Sequence, residues 1–411
     1  MAMIWCVSAP LFSHTDWGGF AKTARALMAR GHEVMWISEH ALAGALMAQG
    51  IPFAPVRQTG WLWPPPPAPD LSALSPQDAV MLRYRRALDT WMTVDRVTDA
   101  VDALLELAEQ VGTPDLILTD PFLTAAALAA EKLDVRLVVA GWIAQRELSE
   151  DHLFPVQKAL GSESQARLAS LCQRFGVRGA NFAQGPTPSI LSPHLHVSYF
   201  SASWYAADAA SLLPQTFFVG GLAESPAEHP PDWLTAIPEE IPLGLVTLGT
   251  TFSGDLGFYS WAAQACVRAG VLPVVAIGWM SIPQEEKQKF IAALPKGTRL
   301  VNYVDFNHIL PRCRVIVHHG GMGTTHAAVV HGVPQVVVPH AADQRGNARR
   351  VAQARVGLNL TAHDVRQGLL FQAVPAIVND ASVTRTARQL ADEFAALGGA
   401  YRAAEAIAAL L

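Results

Sequence analysis

Between Val317 and Thr325 the chain reads His318-His319-Gly320-Gly321-Met322-Gly323-Thr324. Three glycines at a strand-to-helix turn let backbone N–H groups approach an anion closely. The helix predicted from about Met322 to His331 adds roughly half a positive charge at its N-terminus, so a diphosphate would sit well there. His318 and Thr324 can add side-chain donors. No acidic pair stands nearby to hold Mg²⁺, so the helix end and the histidine would take the metal's place. Taken alone, a glycine-rich turn serves tight packing as readily as phosphate binding. The sequence continues with Gly332-Val333-Pro334-Gln335, Pro339, Asp343-Gln344 and Asn347-Ala348. A carboxylate beside an amide is a donor–acceptor set suited to the polar edge of a sugar.

These residues need a scaffold, and the hydrophobic pattern supplies one. Ile4–Val7 reads as a strand, Phe20, Ala24, Leu27 and Met28 recur at helical spacing, Gly31 is placed as a C-cap, and Glu33–Ser38 is β-rich. That βαβ opening implies a parallel sheet. Val97–Val111 (helix), Leu116–Thr119 (strand), Thr124–Lys132 (helix) and Val135–Ala140 (strand) repeat the alternation, and Trp61–Pro67 with its four prolines is an extended loop. Phe218–Pro242 collects Gly220-Gly221 and five prolines and reads as a linker. The alternation restarts with Leu243–Leu248, Tyr259–Ala269, Pro273–Ile277, Arg299–Tyr303, Val315–Val317 and Gln335–Val338. Val383–Leu411 reads as helical with a break at Gly398-Gly399. Two doubly wound α/β domains follow, with ligands expected in the loops after Val7, Thr119, Leu248 and Val317, at the carboxyl ends of strands.

Composition narrows the class. Hydrophobic residues make up 51% of the 411 residues, charged residues 16%, and net charge is −5, which excludes a disordered chain. The longest apolar runs are far short of the ~18 residues a spanning helix needs, and no signal-peptide pattern is visible. A cytoplasmic protein with no membrane span is expected, with peripheral membrane contact left open. The absence of a basic block argues against a nucleic-acid partner. Cys6, Cys172, Cys266 and Cys313 form no C-x-x-C pair and read as reduced thiols, with no metal site. Arg345, Arg349, Arg350 and Arg355 read as one solvated helix face, and His340 as structural.

The ordered run from His318 to Ala348 resembles the signature of the nucleotide-sugar-dependent glycosyltransferases of family 1, the UDP-glycosyltransferase superfamily, in its bacterial form. The resemblance implies the GT-B fold, two facing Rossmann-like domains with the active site in the cleft. The expected divisions are an acceptor domain over 1–222, a linker over 223–242, a donor domain over 243–384, and C-terminal helices over 385–411 that pack back on the first domain. Carried over by position, His318 and the backbone of Gly320, Gly321, Met322, Gly323 and Thr324 would bind the donor diphosphate. Asp343 and Gln344 would hold the sugar hydroxyls, with Thr250 and Thr251 near the phosphate or sugar. Tyr303-Val304-Asp305-Phe306 stands where plant members carry Trp-x-Pro-Gln, so Tyr303 and the backbone of Val304 become base contacts and the donor stays open between UDP and dTDP. His326 replaces an acid that often follows the glycine-rich motif.

The family also places a catalytic histidine in the first βα loop. Pro10-Leu-Phe-Ser13-His14 matches, with Ser13 in place of glycine. His14 would take the proton of the acceptor hydroxyl, and Asp120, at the end of a parallel strand, would orient and stabilise its ring. Retaining GT-B enzymes usually carry two glutamates eight residues apart in the second domain. Between Lys287 and Asp392 there is no glutamate, which favours single-displacement inversion. Trp17, Trp63, Phe122 and Trp142 lead a set of loop aromatics suited to a small lipophilic or aromatic acceptor. The expectation is therefore an inverting, metal-independent transferase of a hexose, with the nucleotide sugar as co-substrate and no cofactor, acting as monomer or homodimer. A GT-B nucleotide-sugar epimerase and a non-catalytic nucleotide-sugar binder are the alternatives.

Overall fold

Successive strand residues alternate between two buried apolar layers, as expected where both faces of a parallel sheet are covered. The structure is a computed structural model that describes residues 1–11, 17–64, 66–67, 69–141, 155–183, 189–224, 226, 229–249, 255–278, 282–340 and 343–411. In β1 (Met3–Val7), Ile4 and Cys6 enter one core cluster while Trp5 and Val7 enter the other. β2 (Glu33–Ser38), β3 (Phe53–Pro55), β4 (Leu116–Thr119), β5 (Arg136–Gly141), β6 (Leu195–Ser198) and β7 (Thr216–Phe218) complete the first sheet. Its order among the described residues is β3-β2-β1-β4-β5-β6-β7, all parallel. The covering helices include α1 (Phe20–Ala29), α2 (Pro76–Met92), α3 (Val94–Val111), α4 (Thr124–Lys132) and α5 (Pro155–Phe175).

The second sheet repeats the plan with β8 (Leu243–Thr247), β9 (Leu272–Ala276), β10 (Arg299–Val301), β11 (Cys313–His318), β12 (Gln335–Val337) and β13 (Gly357–Asn359). Their parallel order is β10-β9-β8-β11-β12-β13. Val315 and Val317 enter one cluster, and Ile316 the other. Its helices include α6 (Leu256–Arg268), α7 (Met322–Val330), α8 (Gln344–Gln353), α9 (Leu370–Asn379) and α10 (Ala381–Ala396). In each sheet the strand order reverses at the first strand: β1 lies between β2 and β4, and β8 between β9 and β11. Those reversals open crevices at the carboxyl ends of β1/β4 and β8/β11, where this architecture receives ligands. The fold class is thus two Rossmann-like parallel-sheet units, as expected for GT-B.

The division of the chain between the units is less simple than the composition suggests. Unit 1 comprises Met1–Tyr199, Asp208–Val219 and Gly399–Leu411; unit 2 comprises Phe200–Ala207 and Gly220–Gly398. The stretch 223–242, expected as an interdomain linker, falls inside unit 2. Its second half is anchored there by Arg312, whose guanidinium donates to the carbonyls of Leu234 (2.9 Å), Ile237 (2.9 Å) and Pro238 (2.7 Å). The C-terminal segment divides at Gly398/Gly399, not near 385. Up to Gly398 it stays with unit 2, and the final helix Gly399–Ala408 packs on α1, where Arg30 and Glu405 pair at 2.7 Å. The arginines of α8 are not one solvated face. Arg350 is buried, with its guanidinium 4.6 Å from the centroid of the Tyr205 ring.

Candidate functional site

In unit 1 the crevice is built around a buried carboxylate. Asp120 follows β4 and is 3% exposed. Its Oδ2 accepts the N–H of Ala9 at 3.2 Å and its Oδ1 accepts the N–H of Phe122 at 2.8 Å. The Ala9 bond ties the end of β4 to the start of the first βα loop. The same seam holds Thr119, whose hydroxyl donates to Val7 O at 2.9 Å, and Ser8, whose carbonyl accepts from Ser38 and whose hydroxyl accepts from the Trp36 indole. Burial pushes the Asp120 carboxyl up to about 6, opposed by the two backbone N–H groups. A carboxyl with that pKa is still mostly ionised at neutral pH.

Trp17, Trp61, Trp63 and Phe122 are half-buried in unit 1. Phe122 packs edge-on against Trp61 with centroids 5.4 Å apart. Trp63 is half-buried in the same proline-rich loop as Trp61. Trp17 lies over Gly141 at the end of β5 and meets the Tyr199 ring edge-on at 6.3 Å. His14, Trp142, Thr250 and Thr251 lie outside the described residues.

In unit 2 the glycine-rich turn follows β11. His318 is fully buried. Its Nδ1 accepts the N–H of Gly320 at 3.1 Å, which requires the proton on Nε2, and Nε2–H donates to Gln335 Oε1 at 3.0 Å. Burial holds the ring neutral, with its pKa pushed down to about 4. Both nitrogens are therefore engaged inside the protein. With both nitrogens so bonded, the ring supports the turn. His319 is also buried, against Gly249 at the end of β8, and burial pushes its pKa down to about 3. What the turn presents is backbone. Gly321 is the N-cap of α7, and the first intrahelical bond runs from Thr325 N to Gly321 O at 2.9 Å. The N–H groups of Met322, Gly323 and Thr324 thus precede the helical ladder and point out of its positive end.

The structure brings Asp343 and Gln344 to this turn. Asn347 Nδ2 donates both to Gly320 O (2.9 Å) and to Asp343 Oδ2 (3.2 Å), so one amide stitches the glycine turn to the N-terminus of α8. Gly320 has φ +88°, and a Cβ there would meet Val337 Cγ1 at 2.8 Å and Gln344 O at 3.0 Å. Only glycine allows that approach. Gln344 Oε1 accepts the N–H of His340 at 2.8 Å. Burial pushes the Asp343 carboxyl up to about 6. His340 links this loop to the start of α6: its Nε2 lies 3.9 Å from Asp255 Oδ2, and Asp255 Oδ1 caps α6 through the N–H of Phe258. Tyr303 is 62% exposed, whereas the Val304 side chain is buried among Ile309 and Leu310. A base contact by Val304 is therefore limited to its backbone. Sequence reasoning quoted Gln335 and Asn347 as part of a pattern but gave them no task; the structure makes them the supports of the turn.

The geometry has close company. Residues 279–410 match the family model described as "Erythromycin biosynthesis protein CIII-like, C-terminal domain". Aklavinone 7-beta-L-rhodosaminyltransferase from Streptomyces galilaeus is 28% identical, with 91% of this chain and 88% of that protein aligned. Among solved structures, the glycotransferase of kitacinnamycin superposes with a TM-score of 0.77 at 22% identity, over 99% of this chain and 98% of the other. The spinosyn rhamnosyltransferase complexed with thymidine diphosphate gives 0.70 at 21% identity, over 97% and 98%. The same enzyme complexed with spinosyn aglycone gives 0.69 at 21%, over 98% of each chain.

Proposed function

We propose that this chain, which belongs to the bacterial-type family 1 nucleotide-sugar-dependent glycosyltransferases of GT-B fold, inverts the anomeric centre and needs no metal. The donor is a dTDP- or UDP-hexose and the acceptor a hydroxyl of a lipophilic polyketide-like aglycone. The observation that carries this reading is the stitched donor turn: Gly320 pressed against Gln344, with Asn347 holding both Gly320 and Asp343. Diphosphate oxygens are held by the N–H groups of Gly321–Thr324, and the helix end stabilises the charge on the leaving group. His318 and Gln335 keep that turn in shape. Asp343 and Gln344 take the sugar hydroxyls, with Thr250 and Thr251 near the phosphate or sugar, and Tyr303 and the Val304 backbone meet the base.

His14 removes the acceptor proton as its oxygen bonds to the anomeric carbon and the bond to the diphosphate breaks. Asp120 stabilises the imidazolium formed. Inversion is supported by the absence of glutamate between Lys287 and Asp392. In this reading the positive end of α7 supplies the charge stabilisation. A thymidine diphosphate complex in a structural neighbour favours dTDP as the first donor to try. The aglycone complex of that enzyme and the half-buried Trp17, Trp63, Trp61 and Phe122 support a lipophilic acceptor. Among the described residues no helix is long and apolar enough to cross a membrane.

The test is a transfer screen of dTDP- and UDP-sugars against macrolactone, anthracyclinone and phenolic acceptors, with and without EDTA, scoring anomeric configuration by NMR. Transfer with inversion that survives EDTA and vanishes in His14→Ala is expected. Retention of configuration, strict metal dependence, or full activity in His14→Ala would each overturn the corresponding part.

A further inference from the structure

The loop that carries His14 is held at both flanks, and only the first flank is explained by Asp120. The second is the turn Trp17-Gly18-Gly19 leading into α1. Gly18 (φ +73°) and Gly19 (φ +132°) both lie in left-handed backbone space that favours glycine. The buried Tyr199 ring lies against them: a Cβ on Gly18 would meet Tyr199 Cβ at 3.0 Å, and one on Gly19 would meet Cε1 at 3.2 Å. The Thr23 hydroxyl donates to Gly19 O at 2.8 Å, so it must accept from the Tyr199 hydroxyl, also at 2.8 Å. Gly19 N closes the turn on Trp17 O at 2.7 Å. Ring, hydroxyl and helix start thus form one buried latch at the exit of the loop.

We infer that Tyr199 is a positioning residue for glycosyl transfer, fixing through Thr23 the Gly18-Gly19 turn that begins four residues after His14 in the chain. The inference rests on the proposed role of His14. Core packing alone would be met by phenylalanine at 199; the hydroxyl, paired with a threonine already bonded to the turn, adds only precision of placement. Displacing a reacting group by about an ångström can cost up to about a hundredfold in rate.

Tyr199→Phe keeps the ring and Thr23→Val keeps the shape of the partner. Each is compared with the parent protein and with His14→Ala, using hydrolysis of dTDP-glucose and UDP-glucose as the probe reaction. Expected in both variants is a kcat lower by about ten- to a hundredfold with donor KM within about twofold. Faster amide exchange at Trp17–Ala21 and an altered pH profile of kcat should accompany it, with the thermal midpoint lower by no more than about 5 °C. If Tyr199→Phe does not fold, Thr23→Val decides. Wild-type kcat, pH profile and exchange in the variants, beside an inactive His14→Ala, overturn the latch and leave the base assignment standing. Full activity in His14→Ala overturns both.

Discussion

The two units share one topology and use its reversal point in opposite ways. In unit 2 the site is shaped by backbone: a neutral histidine, an amide and a glycine with no room for a methyl group hold N–H groups at a helix end. In unit 1 the corresponding crevice holds one buried carboxylate and a latched loop. An anion that every substrate shares can be met by fixed backbone dipoles. A proton that must move needs a titratable group, and an acceptor that varies needs side chains on loops.

That contrast can be broken by substitution. Asp120→Asn removes the charge with little change of shape. It should lower turnover by about a thousand- to ten-thousandfold while nucleoside diphosphate affinity, read by calorimetry, stays level. A loss of nucleotide binding of the same size would erase the distinction between the units. Gly320→Ala should do the reverse. The strained backbone and the approach to Val337 and Gln344 push the turn open, and affinity for dTDP or UDP should fall by about a hundredfold. Unchanged affinity there would mean the turn is not the diphosphate seat. Gln335→Leu leaves His318 Nε2–H buried without its acceptor, which should cost about 1–3 kcal/mol in urea unfolding and weaken nucleotide binding without touching the pH profile of turnover.

The smallest effect is in acid stability. His318 and His319 have folded pKa values near 4 and 3, and His196 in unit 1 near 4, each lowered chiefly by burial. An unfolded histidine protonates near 6.5. These neutral rings therefore contribute stability that is complete above that value and is lost as pH falls toward the folded pKa. Each histidine contributes a slope of up to about 1.4 kcal/mol per pH unit. Asp120 and Asp343, raised to about 6, work the other way, regaining stability as pH falls from about 6 toward 4. Among the described residues, one such aspartate per unit stands against two buried histidines with strongly lowered pKa in unit 2 and one in unit 1, which makes unit 2 the more acid-labile. Hydrogen exchange between pH 7 and 5 should show α7 and β11 losing protection before β4 and β5. The reverse order would show that these groups do not set the balance.

Much of the proposed donor turn was legible as one group of residues because they lie close together in the chain. The glycines, Asp343, Gln344 and Asn347 fall within thirty residues of His318, on two loops that adjacent strands must bring together. The side-chain bonds were not legible: nothing in the spacing of His318 and Gln335 says that Nε2 of one meets Oε1 of the other. In unit 1, α2 escaped notice because only Leu88 and Met92 of its seventeen residues are buried, leaving little periodic signal. β3, β7 and β13 are three-residue edge strands with too few residues to alternate. Tyr199 could not be tied to Gly19, because a contact across 180 positions leaves no local trace.

The chain's passages between the units at 199/200, 207/208, 219/220 and 398/399 bear on recombination. A hybrid made by one splice near residue 222 would take its final helix from the donor-side parent and Phe200–Ala207 from the other. Phe200 would then face a foreign His326 and Phe394, its edge-on ring partners at 5.3 and 5.7 Å, and α1 a foreign Glu405. A graft that exchanges donor specificity should carry 200–207 with 220–398 and leave 399–411 in place.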